Sequence, residues 1–146
     1  MSMAKILAAG GTFTPVGEQA YTSDGTYTFT VPAGVSSVSL LCIGAGAGGN
    51  NGDLNTTGGG AGGGGGLSYR NNYAVTPSQT LTVVVGNGGA GGSGTNSTGS
   101  DGGASYIQDG GTKILQADGG TAGGSVEAGG SGGSGGSNSA PYHADG

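Results

Sequence analysis

Val38-Ser39-Leu40-Leu41-Cys42-Ile43-Gly44-Ala45-Gly46-Ala47-Gly48-Gly49 runs an alternating apolar segment straight into a tract of glycine and alanine. Val38, Leu40 and Cys42 share one side of an extended chain and Leu41 and Ile43 the other, the period of two that a central β-strand requires. Beyond Ile43 the side chains all but vanish, so whatever follows must be built from backbone.

The same pattern recurs on both sides of this junction. Period-two segments are predicted at 26–31, 35–43, 67–75, 80–85, 104–108 and 112–118, and a weaker one within 6–16 pairs at an edge. Tyr27, Phe29 and Val31 alternate with threonines, Leu67, Tyr69, Tyr73 and Val75 are assigned to one side, and Leu81, Val83 and Val85 align. Short turns at 32–34, 76–79 and 109–111 alternate with glycine-rich excursions at 44–66, 86–103 and 119–146, each following the second strand of a hairpin. With successive strands antiparallel, the excursions leave from one end of the sheet and the tight turns gather at the other.

Composition agrees. The chain has 146 residues, of which 40 are glycine, and only 8% are charged. Glycine is less favourable than alanine in a helix interior by about 1 kcal/mol, and no window carries an apolar 3.6-residue period. The expected fold is all-β with essentially no α-helix: a small antiparallel β-sandwich or jelly-roll-like sheet. Residues 1–20 are assigned to an N-terminal edge or assembly segment, 21–118 to a glycine-rich β domain, and 119–146 to a glycine-rich tail.

Internal glycine excursions of this length need a structural account, because structureless loops of that size are uncommon in compact domains. A three-residue beat is plainest at Gly129-Gly130-Ser131-Gly132-Gly133-Ser134-Gly135-Gly136-Ser137. Three residues per turn is the repeat of the polyproline II helix, which makes no internal hydrogen bonds. Its peptide groups must bond sideways, and glycine lets such strands approach closely. Fixing each residue opposes order by about 1–2 kcal/mol, against about 1 kcal/mol net per hydrogen bond. A lone tract therefore cannot order itself, and the prediction is a bundle of tracts, or an oligomer of bundles, on a β-sheet core.

Chemical motifs are few. Gly44–Gly49 has the glycine spacing of a dinucleotide-binding turn, but no helix start follows to receive a pyrophosphate. Asp53, Asp101, Asp109 and Asp118 lie near glycine without calcium-loop spacing and read as turn residues. His143 is the sole histidine, and Cys42, the sole cysteine, reads as a buried structural thiol. No catalytic, cofactor-binding or metal-ligating set is expected, and the chain is not expected to be an enzyme. A net charge of −5 with only Lys5, Arg70 and Lys113 as fixed cations argues against nucleic acid. No membrane insertion is expected, and 1–11 lacks a signal-peptide core, which implies synthesis in the cytoplasm. Tyr27, Tyr69 and Tyr73 read as core, Tyr142 as exposed.

The segment Tyr27-Thr28-Phe29-Thr30-Val31-Pro32-Ala33-Gly34-Val35, followed by 38–49, resembles the glycine-rich domain of bacteriophage tail-fibre, adhesin and other virion proteins. Leu81-Thr82-Val83-Val84-Val85-Gly86-Asn87-Gly88-Gly89-Ala90-Gly91-Gly92 is similar to that family's second signature, and Gly102-Gly103-Ala104-Ser105-Tyr106-Ile107 to its third. The resemblance covers most of 25–124. It implies a particle-surface role: some phage adhesins bundle such tracts and present host-recognition loops between them. No long trimeric shaft or chaperone-like segment is present, which favours a small tip, knob or decoration protein.

The resulting expectation is a virion protein exposed on the particle, an adhesin-like receptor-binding tip. Asn50, Asn51, Asp53, Asn96 and Tyr142 are the expected receptor contacts. Expected partners are other virion proteins, further copies of the chain with a trimer favoured, and a host-surface glycan or outer-membrane protein. Two alternatives are a head-decoration or fibre component assembled by glycine packing, and an ice-binding glycine bundle.

Overall fold

The computed structural model describes residues 2–9, 15–52 and 58–123. Eight strands are formed: β1 (Met3–Ala9), β2 (Pro15–Tyr21), β3 (Gly25–Thr30), β4 (Ser37–Ile43), β5 (Leu67–Ala74), β6 (Thr80–Val85), β7 (Ser105–Asp109) and β8 (Thr112–Ala117). They make two four-stranded antiparallel sheets of order β2-β1-β4-β5 and β3-β6-β7-β8, with no helix among the described residues. The all-β sandwich is as the alternation predicts.

The core lies between the sheets and follows period two. Val38, Leu40 and Cys42 point inward from β4, Leu81, Val83 and Val85 from β6, and Phe29 from β3, while Thr26, Thr28 and Thr30 stand in solvent. Each fully buried aliphatic side chain contributes about 1.5–3 kcal/mol. At one corner the sheets are tied by the Ser68 hydroxyl, which donates to the Gln116 carbonyl at 2.6 Å, and the Arg70 guanidinium lies 4.5 Å from the Tyr73 ring centroid.

The short turns do gather at one end. The 31–35 and 76–79 turns exchange backbone bonds, Val31 N–H to Gln79 O at 2.8 Å and Ser78 N–H to Val31 O at 2.9 Å. Asp109 Oδ2 accepts from Tyr73 Oη at 2.6 Å and from Gln79 Nε2 at 2.7 Å, joining the third turn to them. That turn needs left-handed backbone at Gly110 and Gly111, φ 53° and 84°, as a two-residue hairpin turn does.

Three expectations change. The weak 6–16 segment, expected at an edge, falls on two strands: β1 lies between β2 and β4, and β2 takes the edge. Residues 67, 69, 73 and 75 do not share a face. Asn71 and Asn72 together oppose one residue of β4, and Asn72 adopts φ 54°, a bulge that turns Tyr73 inward while Leu67 and Tyr69 remain outside, 51% and 46% exposed. Tyr69 is thus surface, not core. A second register shift, in β8, lets both Ile114 and Leu115 be buried.

Cys42 is wholly buried in β4, and the apolar surroundings push its thiol up to about 12 from 9.0. The folded thiol therefore stays neutral where the unfolded one ionises. Stability is expected to fall as pH rises from about 9 towards about 12, by about 1 kcal/mol per pH unit from this group. Denaturation midpoints across that range should show a shallower alkaline slope in Cys42→Ala.

Candidate functional site

Beyond the sandwich the chain continues as five extended glycine strands: g1 (44–51) leaving β4, g2 (58–66) entering β5, g3 (86–92) leaving β6, g4 (97–103) entering β7 and g5 (119–123) leaving β8. All three excursions rise from the end opposite the tight turns.

Their hydrogen bonds step by three. From g1, the N–H groups of Gly44, Ala47 and Asn50 donate to the carbonyls of Gly66, Gly63 and Gly60 of g2 at 2.8–2.9 Å. Those of Ala45, Gly48 and Asn51 donate to Gly103, Ser100 and Ser97 of g4 at 2.9–3.0 Å. The carbonyls of Gly46 and Gly49 accept from Gly89 and Gly92 of g3, and that of Ala45 from Gly120 of g5. The outer strands also bond to one another: g4 to g3 through Ser100 and Gly103, g4 to g5 through Gly102, and g2 to g5 through Gly63, while Gly66 donates to the Asp118 carbonyl just before g5. Thus g1 is the axis of the bundle. This is the sideways pairing that a helix of three residues per turn demands.

Close approach fixes glycine at the contacts. A Cβ on Gly48 would stand 1.9 Å from the Ala90 carbonyl oxygen, and one on Gly89 2.0 Å from that of Ser100. Outward positions are free: at Gly58, Gly64 and Gly88 a Cβ would meet nothing within 4 Å.

At the far end, g1 spans roughly 20 Å from the sandwich by the 3.1 Å rise of such strands. Here Asn50 works as a clamp. Its Oδ1 accepts from Gly99 N–H of g4 at 2.8 Å, and its Nδ2 donates to the Gly123 carbonyl of g5 at 2.9 Å. Asn51 is exposed and donates from Nδ2 to the Gly94 carbonyl at 2.8 Å, holding the 93–96 reversal, which Ser97 Oγ also bonds through Gly94 O at 3.1 Å. Asn96 stands exposed on that reversal with φ 56°. The fold thus brings Asn50, Asn51 and Asn96 to one tip, while Asp53 and Tyr142 lie outside the described residues.

Asp101, a turn residue by its sequence setting, ties two glycine strands together. Its carboxylate accepts from Ala122 N–H at 2.7 Å and binds g5 to g4, while Asp118 accepts from Gln116 Nε2 at 2.6 Å. The Asp101 role is not visible in spacing, since it joins segments that only the bundle brings together, whereas the Asp118 contact is local, two residues along the same segment. The tip presents amides, hydroxyls and peptide groups, suited to hydrogen-bonding a neutral polar ligand. Among the described residues no helix is long and apolar enough to cross a membrane.

The sequence profile of a family described as a glycine-rich domain matches residues 22–146. No curated protein and no solved structure matches the chain.

Proposed function

We propose, on the premise that this chain belongs to the glycine-rich domain family, that it is a bacteriophage virion protein exposed on the particle, acting as an adhesin-like receptor-binding tip. The observation that carries this reading is the bundle itself. It is a rigid backbone platform that projects its reversals away from the sandwich and pre-orders their polar groups, which lowers the entropic penalty of binding. Asn51 and Asn96 are the contacts, and Asn50 supports them. A host-surface glycan or the loops of an outer-membrane protein supply complementary donors and acceptors, and the sandwich faces other virion proteins.

Purified protein should adhere to host cells and compete with virions for them. Asn96→Gly keeps the left-handed backbone but removes the side-chain amide; it should weaken adhesion by about 5- to 10-fold with an unchanged melting temperature. Failure of the unaltered protein both to adhere and to compete would sink the receptor reading.

A second reading, a structural component of the particle, draws on the outer face of the first sheet. Leu67 and Tyr69, 51% and 46% exposed, pair there with Ile43 and Leu41, an apolar strip suited to lateral packing. Immunogold microscopy of virions separates the two: label at the tail tip supports recognition, label on the capsid supports decoration.

A further inference from the structure

Around g1 the bonded neighbours follow the order g3, g4, g5, g2, and among the described residues no hydrogen bond closes the ring from g2 back to g3. On that flank the peptide groups are unmatched. Among the described residues the Gly46 N–H has no acceptor, the Ala47 carbonyl no donor, and the N–H and carbonyl of Gly88 no backbone partner. These groups wall an open groove of about 400 Å³ at the root of the bundle, with Ser2, Thr22 and Asp24 at its foot. The foot is held in place before anything binds. Tyr27 Oη donates to the Ser23 carbonyl at 3.0 Å, the Tyr27 and Tyr21 ring centroids lie 4.9 Å apart, and Ser2 Oγ donates to the Gly86 carbonyl at 2.8 Å. Asp24 is exposed, and its carboxylate has no partner among the described residues.

We propose that this groove binds a neutral saccharide, one or two pyranose rings in size. The site lies at the opposite end of the bundle from Asn51 and Asn96, and it stands independently of the receptor reading. Its volume falls at the small end of the range for ligand pockets, about 300–1,000 Å³. Its wall sets donors, the Gly46 and Gly88 N–H groups, beside acceptors, the Ala47 and Gly88 carbonyls, with the Thr22 hydroxyl and one carboxylate below. A hydroxyl answers both kinds, since it donates and accepts at once. Two neighbouring hydroxyls of a sugar ring suit the Asp24 carboxylate, through charge-assisted bonds stronger than neutral ones. Asp24 is the one charged residue on the wall, and in a chain of net charge −5 it turns away phosphate, sulfate and acidic sugars. An extended peptide would match the same groups, but ordering each of its residues opposes binding by at least as much as one net hydrogen bond returns. A pyranose ring brings its hydroxyls already fixed.

Titration of the full chain followed by nuclear magnetic resonance tests this, with glucose, galactose, mannose, their N-acetylated forms, maltose and lactose as probes. At least one should shift the amides of Gly46, Ala47, Gly86 and Gly88 together, with Kd on the order of 1 mM. Asp24→Asn keeps the shape of an exposed side chain and removes its charge, and should weaken that binding about 10-fold. Gly88→Leu fills the groove from a position with nothing within 4 Å and should abolish binding, while Ala47 and Gly48, bonded to g2 and g4, stay protected from hydrogen exchange and report an intact bundle. Silence of the groove amides towards every sugar overturns the proposal, as do shifts confined to Asn51 and Asn96, which would support the tip reading alone. Either variant binding as the unaltered chain does, or an equal response to N-acetylneuraminic acid, overturns it too. Exchange protection of Gly46 before sugar is added means that the groove is already filled, and a stronger response to a Gly-Gly-Ser repeat peptide gives it to a peptide strand; both overturn the saccharide assignment.

Discussion

Gly48→Val melts the glycine bundle and leaves the sandwich standing. The substituted Cβ would lie 1.9 Å from the Ala90 carbonyl oxygen, 2.3 Å from its carbon and 2.7 Å from Gly91 N, all backbone atoms that no rotamer change can move aside. Relief requires g3 to separate from g1, which breaks the Gly89 and Gly92 bonds and loosens the Gly48 bond to Ser100. At about 1 kcal/mol per net bond, plus the penalty for backbone groups left unpaired, the expected loss is on the order of 3–5 kcal/mol. The companion Gly88→Ala has open space around it and should change stability by no more than about 1 kcal/mol. Denaturant titration of the two variants gives the contrast, with exchange protection lost across 44–51 and 86–103 in Gly48→Val and kept in the strands. Equal behaviour of the two would mean that close backbone contact does not hold the bundle.

Leu81→Ala has the opposite geography. Leu81 is completely buried at the centre of the second sheet, where it pairs with Phe29 on one side and Asp109 on the other. Truncation leaves a cavity between two sheets whose backbones are fixed by ladders on both flanks, so collapse is limited and the loss should be about 3–4 kcal/mol. Because β6 feeds g3, and β4, β5, β7 and β8 feed the other glycine strands, weakening the core weakens the bundle as well. A single cooperative transition at lower denaturant is expected, with sheet and bundle amides losing protection together. Bundle amides that outlast the sheet would show that the glycine strands hold without their roots.

How far the fold was legible depends on which part carried the information. Where side chains carry it, as at Val38, Leu40 and Cys42 or Leu81, Val83 and Val85, alternation gives the buried face directly. It fails at Tyr69 and Tyr73 because Asn72 in left-handed backbone inserts an extra residue, and asparagine marks such a site only weakly. It fails again at Ile114 and Leu115, adjacent residues both buried by a register shift. The direction of the excursions followed from alternating short and long connections, and the beat of three emerged as the spacing of the contacts, for instance at Gly86, Gly89 and Gly92. Asn50, a polar tip residue by sequence, has its amide engaged with g4 and g5. That role depends on a neighbour 73 positions away in sequence, a separation that no local pattern encodes.

Apart from Ala45, which is buried, the bundle is held by peptide groups more than by apolar side chains, and this gives the two halves of the molecule different thermal character. Exposing apolar surface raises heat capacity and exposing peptide groups lowers it, so the bundle should melt with a small heat-capacity increment and the sandwich with a large one. Chilling erodes hydrophobic cohesion but leaves peptide-to-peptide bonds largely intact. Cooling therefore weakens the protein through the sandwich that roots the platform, not through the platform's own hydrogen bonds.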